Sequence, residues 1–361
     1  MNEERFVPKP YNYSIQNFRV SWESPSNIAL VKYWGKKPNQ LPENPSISFT
    51  LKHSKTITEL SLSKKESSTD FDFDVFLDGE EQEDFKPKIQ TFFERVLPYL
   101  PFLKDYKFRI NTQNTFPHSS GIASSASGMS ALALCLMSVE AELSEEEIFK
   151  DAFYEKASFL ARLGSGSASR SIEGPMMVWG KHHAIEGSND FYAVKYSNEI
   201  HPNFKNYQDT ILLVDKGQKQ VSSSVGHNLM FNHPFALERF EQANVNLSKI
   251  HQILQSGDLN AFIKLVESEA LTLHAMMMTS LPYFILMKPN TLAIINEIWQ
   301  YRKQQDSKIC FTLDAGANVH ILYPEVEKEK VLEFIKQELV AYCENGQFIA
   351  DEIGNGAIHI N

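Results

Sequence analysis

The sequence predicts an α+β fold in two lobes, and three observations carry that prediction. Strand-type alternation dominates the first hundred residues, helix-type spacing takes over in the middle, and antiparallel strand signals then return beside blocks of helix. Regular βαβ alternation is missing. A chain of 361 residues with 42% hydrophobic content suits two units of ordinary size. The boundary is expected near residue 205, dividing 1–205 from 206–361.

Taken in order, residues 55–62 (KTITELSL) and 71–77 (FDFDVFL) alternate polar and apolar side chains, and Asp78-Gly79 after the second run is a hairpin-turn signal. Residues 122–138 are small and apolar and predict a helix. Residues 145–163 predict another, because Phe149, Ala152, Phe153, Ala157 and Leu160 recur at spacings of three and four. Ser144 with Glu147 makes a capping box for it, and Gly164 stands where a C-terminal glycine belongs. Strands follow at 175–179 (PMMVW) and 210–215 (TILLVD), separated by a loop containing Gly187, Ser188, Asn189 and Asp190. Helices across 234–256, 258–274 and 290–305, then a strand pair within 309–323, complete the reading.

Composition excludes several functions. The formal charge of −10 rules out a nucleic-acid binder working through a broad basic surface. There is neither a run of about 18 apolar residues to span a bilayer nor an apolar N-terminal stretch of signal-peptide type, so no membrane partner and a cytoplasmic location are expected. Cys135, Cys310 and Cys343 lie far apart, predicting three buried thiols in place of disulfides or a zinc site. His182 and His183 are adjacent and would face opposite sides of a strand, which predicts a surface hairpin.

Four stretches carry possible chemistry. Thr115 to Gly128 is a Gly/Ser/Ala loop running into a helix, where backbone N–H groups, the helix dipole and the hydroxyls of Ser119, Ser120, Ser124 and Ser125 would cradle phosphate or magnesium. A small-residue helix packed tightly on a neighbour has the same pattern. Gly164 to Arg170 (GSGSASR) sets three hydroxyls and a guanidinium after a helix end, a surface for a carboxylate or phosphate, or else a flexible serine loop. It is not a dinucleotide fingerprint, because a helix and not a strand precedes it. In Ser24 to Lys37, Lys32 and Lys36 offer cations to an anionic ligand or solvate a strand edge. In Leu313 to Asn318, Asp314 is either a turn former or a partly buried base.

In order and spacing, Asn27 to Lys36, Pro117 to Ala126, Gly164 to Ser171, Val221 to Ser223 and Asp314 to Asn318 together resemble the mevalonate diphosphate decarboxylases. These belong to the galactokinase, homoserine kinase, mevalonate kinase and phosphomevalonate kinase superfamily. The similarity spans residues 20–323. It implies a two-domain α+β fold with the active site in the cleft, and ATP-dependent conversion of mevalonate 5-diphosphate to isopentenyl diphosphate through 3-phosphorylation and loss of phosphate and CO2. The resemblance further implies Asp314 as base, Lys32 as its partner and Arg170 on the substrate carboxylate. Tyr33, Lys36, Ser165, Ser167 and Ser223 would bind substrate; Gly121, Ala123, Ser124 and Ser125 would bind ATP, with Ser125 also reaching Mg2+. A homodimer is implied as well.

The chain departs from the family pattern in places. His118-Ser119-Ser120 stands before Gly121 where Thr-Ala-Ala is more usual, Ser224 to His227 stand where many relatives have a larger or basic residue and then a methionine, and Ile353 to Gly356 only weakly match a Gly-Pro-Gly segment. The first sixteen residues have no clear counterpart. Two alternatives share the scaffold: an enzyme that accepts mevalonate 5-phosphate or stops at 3-phosphorylation, and a catalytically silent binding protein. Retention of Lys32, Arg170 and Asp314 speaks against a kinase-only variant, and retention of the acid and of the glycine-serine cradle speaks against a silent one.

Overall fold

The computed structural model describes residues 3–11, 13–117, 124–145, 147–216 and 223–360, the side chains of residues 223 and 224 excepted. The first long pairing joins β1 (Asn17–Val31) to β2 (Ser46–Lys64), antiparallel from Asn17↔Ser63 to Val31↔Ile47. Pro25 cannot donate to the ladder, and the register shifts between Pro25 and Asn27. From Ser24 to Val31 every residue is buried, so a strand that starts at the surface ends inside the molecule.

Next come β3 (Asp72–Leu77) and β4 (Glu80–Glu81), α1 (Lys86–Val96) and β5 (Tyr106–Asn114). Asp78 and Gly79 take φ of 53° and 85°, the paired left-handed conformation of a tight two-residue turn, as the sequence predicts. The chain continues through α2 (Ser124–Leu143), α3 (Lys150–Gly164), β6 (Met176–Trp179) and β7 (Val194–Lys195). Then follow β8 (Gln208–Leu212), α4 (Ser223–Asn228), α5 (Ala236–Ser256), α6 (Leu259–Met278) and α7 (Pro289–Gln305). Last are β9 (Cys310–Thr312), β10 (Val319–Tyr323), α8 (Lys328–Phe334), β11 (Phe348–Glu352) and β12 (Ile358–His359).

One sheet has the order β12–β1–β2–β5–β3–β4, with β6 joined to β2 and β7 to β6; the other has the order β11–β8–β10–β9. Helix α2 lies on β1 and β2. Its small side chains permit hydroxyl contacts as close as Thr56–Ser127 and Ser24–Ser130, each 2.6 Å between oxygens. By length and hydropathy α2 is apolar enough to cross a bilayer, contrary to the sequence expectation; here 78% of that window is buried, as suits a core helix. The two sheets meet where Asp351 of β11 accepts three successive N–H groups of β2, from Lys52, His53 and Ser54, at 2.8–2.9 Å.

Three local expectations are corrected. The capping box does not form. Helix α3 starts at Lys150 behind an uncapped Phe149, and the Ser144 hydroxyl instead donates to the Glu140 carbonyl at the end of α2. Gly164 sits inside α3 as its last residue, where closeness rather than handedness requires glycine: a Cβ there would lie 2.7 Å from Met129 Sδ. His182 is buried in a loop, not on a surface hairpin, with Nε2 3.0 Å from the Asn244 carbonyl and 3.3 Å from Ser248 Oγ. The three cysteines are free and buried, as expected.

Candidate active site

The buried end of β1 delivers Lys32 to the interior, where both of its backbone polar groups are held. Its N–H donates to Glu269 Oε2 at 2.8 Å, while its carbonyl accepts from Asn44 Nδ2 at 2.9 Å and Arg239 Nη2 at 3.0 Å. Arg239 and Glu269 form a double hydrogen-bonded pair (2.6 and 2.9 Å) whose side chains have no solvent exposure, and Asn246 donates to the same carboxylate at 2.6 Å. Such a pair is secure only when its remaining polar atoms are satisfied, and Lys32 and Asn246 help to satisfy them.

From this clamp the Lys32 ammonium reaches Asp314 Oδ1 at 3.0 Å. Asp314 follows β9 in a tight turn whose carbonyl accepts from Gly316 N (2.7 Å) and lies 3.1 Å from His274 Nε2. Burial, with Lys32 nearby, lowers the His274 pKa to about 4, against the carbonyl bond that favours its charged form. The ring is therefore neutral, and its proton resides on Nε2.

Arg170 comes from the short helix Gly166–Ser171 that follows α3. It is buried, with Nε donating to Ser48 Oγ at 3.0 Å and Nη1 to Ser46 Oγ at 2.6 Å. Both of these partners are neutral hydroxyls. Burial pulls its pKa down to about 10, and Asp314 is the first charge opposing that shift. Behind it, Gly166 lets the chain pass Tyr33 and Trp179, since a Cβ would meet them at 3.0 and 2.8 Å. The buried Tyr33 hydroxyl has no hydrogen-bond partner among the described residues, and burial raises its pKa, so it stays protonated and can donate into the cavity.

Of these residues, Lys32, Tyr33, Gly166, Arg170 and Asp314 line one cavity of about 510 Å³. Lys32, Tyr33, Lys36, Ser165, Ser167, Arg170 and Asp314 share its wall with Ser124 and Ser125 at the start of α2. The cavity runs on past α2 to the β5 and β3 side of the sheet, where Val75, Leu77, Phe85, Ile89 and Ile110 give it an apolar end beside Thr112 and Lys88. Gly121, Ala123 and His118 lie outside the described residues, as does the side chain of Ser223, which opens α4. Among the described residues no group of three His, Cys, Asp or Glu side chains is placed to hold a metal ion. The Ser124 and Ser125 hydroxyls are hard oxygen donors, which suit Mg2+ already carried on phosphates.

Sequence reasoning missed several of these positions. His227 was noted only as a departure; it packs between Tyr33 and Trp34 (ring centroids at 4.2 and 4.6 Å), and its Nδ1 accepts from Gly35 N at 3.0 Å. Burial, then Lys36 and Arg170, lower its pKa to about 3. Ser46 and Ser48, which hold Arg170, did leave a signal, because alternate strand residues share a face. Arg239, Glu269 and His274 left none that is local.

A first sheet backed by α2 and joined to a second, smaller sheet, with a lysine–aspartate pair and a buried arginine facing one anion-receptive cavity, defines a two-domain fold of the galactokinase, homoserine kinase, mevalonate kinase and phosphomevalonate kinase type. Family models agree on the finer class. Residues 24–193 match the diphosphomevalonate decarboxylase-like N-terminal domain, and residues 210–356 match the mevalonate 5-diphosphate decarboxylase C-terminal domain. The chain belongs to the diphosphomevalonate decarboxylase family. It is 29% identical over 343 residues to the diphosphomevalonate decarboxylase of Rattus norvegicus, covering 89% of this chain and 79% of that one. It is 28% identical over 324 residues to the phosphomevalonate decarboxylase of Haloferax volcanii, covering 87% and 89%. Among solved structures, Staphylococcus aureus mevalonate diphosphate decarboxylase superposes with a TM-score of 0.80 at 27% identity, covering 96% of this chain and 99% of that one. A structure described as MDDEF in complex with MVAPP, AMPPCP and magnesium gives the same four values.

Proposed function

We propose that this chain catalyses the ATP-dependent decarboxylation of mevalonate 5-diphosphate to isopentenyl diphosphate, with Asp314, Lys32 and Arg170 at its centre. The observation that carries the reading is the 3.0 Å contact between Lys32 Nζ and Asp314 Oδ1 on the wall of the cavity that Arg170 also lines. A tertiary 3-hydroxyl is a crowded, poorly acidic nucleophile. The Asp314 carboxylate, within reach of it, accepts its proton as the oxygen takes the terminal phosphoryl group of ATP. Lys32 holds that carboxylate in place and balances its charge. Arg170 and the hydroxyls of Ser165 and Ser167 take the substrate carboxylate and fix the C–C bond opposite the C–O bond to the new phosphate. When phosphate leaves, the C–C electrons form the double bond and CO2 departs. Tyr33 and Lys36 serve the diphosphate.

The start of α2, with Ser124 and Ser125, receives the ATP phosphates, and the apolar end of the cavity takes the nucleoside. The Ser125 hydroxyl would help to hold Mg2+ carried on those phosphates, and the ion would supply charge neutralisation for the transfer. Supporting a division near residue 205 are the gap between the two family matches and the start of β8 at Gln208; β12 then returns to β1, so the last strand rejoins the first lobe. We assign the enzyme to the cytoplasm as a homodimer, a location that three unpaired cysteines suit.

The second reading, a mevalonate 5-phosphate substrate, is favoured by the comparable identity to the Haloferax volcanii phosphomevalonate decarboxylase. Release of ADP and CO2 measured with the diphosphate beside the monophosphate decides between them. ADP without CO2 would mark a 3-kinase, and neither product a silent scaffold.

A further inference from the structure

The segment ahead of β1 lies outside the family match, which begins at residue 24, yet it is docked on α2 and α3 by specific contacts. Phe6 stacks on Phe159 with ring centroids 4.3 Å apart, Arg5 pairs with Glu155, and the Tyr11 hydroxyl donates to Glu140 at 3.1 Å. Glu3 is the residue whose contacts lead to the cavity. It pairs with Arg162 of α3, whose side chain has no solvent exposure: Nη2 donates to Glu3 Oε1 at 3.0 Å, Nε to the Phe191 carbonyl at 2.7 Å, and Nη1 to the Asn39 carbonyl. The Tyr99 hydroxyl donates to the other Glu3 oxygen at 3.2 Å.

Asn39 and Gln40 are both left-handed, with φ of 56° and 60°. Asparagine adopts that conformation readily, whereas glutamine holds it only where surrounding contacts impose it. Their loop is closed by the 2.8 Å bond from Lys37 N to the Leu41 carbonyl and a bridge between Lys36 and Pro42, and it presents Lys36 and Gln40 to the cavity. Arg162 is thus the tie between the N-terminal segment and the tip of a strained loop in the cavity wall.

We propose that residues 3–6 form a strap that, through the Glu3–Arg162 pair and the Arg162 bond to Asn39, sets the Lys36–Gln40 loop for substrate, making Glu3 and Arg162 positioning residues. The proposal rests on reading this part of the cavity as the diphosphate site. Without the Glu3 charge, a fully buried guanidinium loses its carboxylate and moves toward water, taking the loop with it.

Steady-state kinetics of the full chain test this. E3Q is expected to raise KM for mevalonate 5-diphosphate about tenfold, with kcat and KM for ATP changed less than about twofold. E3Q/R162M removes both charges and is expected to regain the melting temperature, yet it lacks the donor to Asn39, so its KM stays high. Amide exchange across residues 36–43, which needs no substrate, is expected to speed up in both variants. Wild-type KM and exchange in E3Q, or their recovery in E3Q/R162M together with the melting temperature, overturns the strap. If E3Q does not fold, E3Q/R162M decides alone. Should the wild-type chain act on mevalonate 5-phosphate instead, the substrate reading fails, and the same comparison with that substrate, or the exchange experiment alone, still judges the strap.

Discussion

Lys32 and Asp314 stand 282 positions apart in the chain and meet with Nζ 3.0 Å from Oδ1. One closes the long strand of the first sheet and the other follows a short strand of the second, so the pair forms only when both sheets are assembled. Replacing Asp314 by Asn keeps this shape and removes the base. Turnover is expected to fall by about 10² to 10⁴ while ATP affinity stays near wild type. Product assay and nucleotide titration check this, and near-native turnover would refute the base.

Tyr33→Phe removes a buried hydroxyl that has no hydrogen-bond partner among the described residues. Folding stability should move by less than about 0.5 kcal/mol or rise, while KM for the substrate increases by about five- to tenfold, the worth of one hydrogen bond. Urea unfolding and kinetics on the same preparation separate the two effects.

Glu269→Gln leaves Arg239 buried with no carboxylate. A loss of about 3 to 5 kcal/mol of stability is expected, the cost of an unpaired interior charge. Where the variant still folds, turnover should drop as well, because Glu269 also holds the Lys32 N–H. An unchanged unfolding midpoint would show the clamp to be dispensable.

Acid should weaken the fold through His274. Its pKa is about 4 in the native state against an ordinary 6.5, lowered first by burial. The unfolded chain therefore binds the extra proton between those values. The contribution of the neutral ring is complete above pH 6.5, shrinks as pH falls, and is gone near pH 4. Urea midpoints measured from pH 8 to 4.5 should hold steady and then fall below about 6.5, with a shallower fall in His274→Gln.

Local chemistry made much of this legible. The turn at Asp78-Gly79, the helices after residue 234 and the strand pair around Asp314 all rest on short-range pattern, and they stand where that pattern puts them. Glycines were read less well. Local pattern makes Gly164 a helix stop, but its need comes from Met129, a neighbour on another helix that no window around residue 164 contains. The separated motifs pointed to Lys32, Arg170 and Asp314, and all three line the cavity. Glu269 and Arg239 were invisible for the opposite reason: they bond to Lys32 through its backbone alone, and on the sequence they are ordinary charges on amphipathic helices. His227 shows that a departure from pattern can itself mark a wall of the site.

Asp351 fastens three successive amides of β2, and this rivet sits on one margin of the junction between the sheets. A change of angle between the two sheets would have to break these three bonds or pivot close to them. Lys32 and Asp314 come from the two sides of that junction, so the length of their contact registers any change in the angle between them.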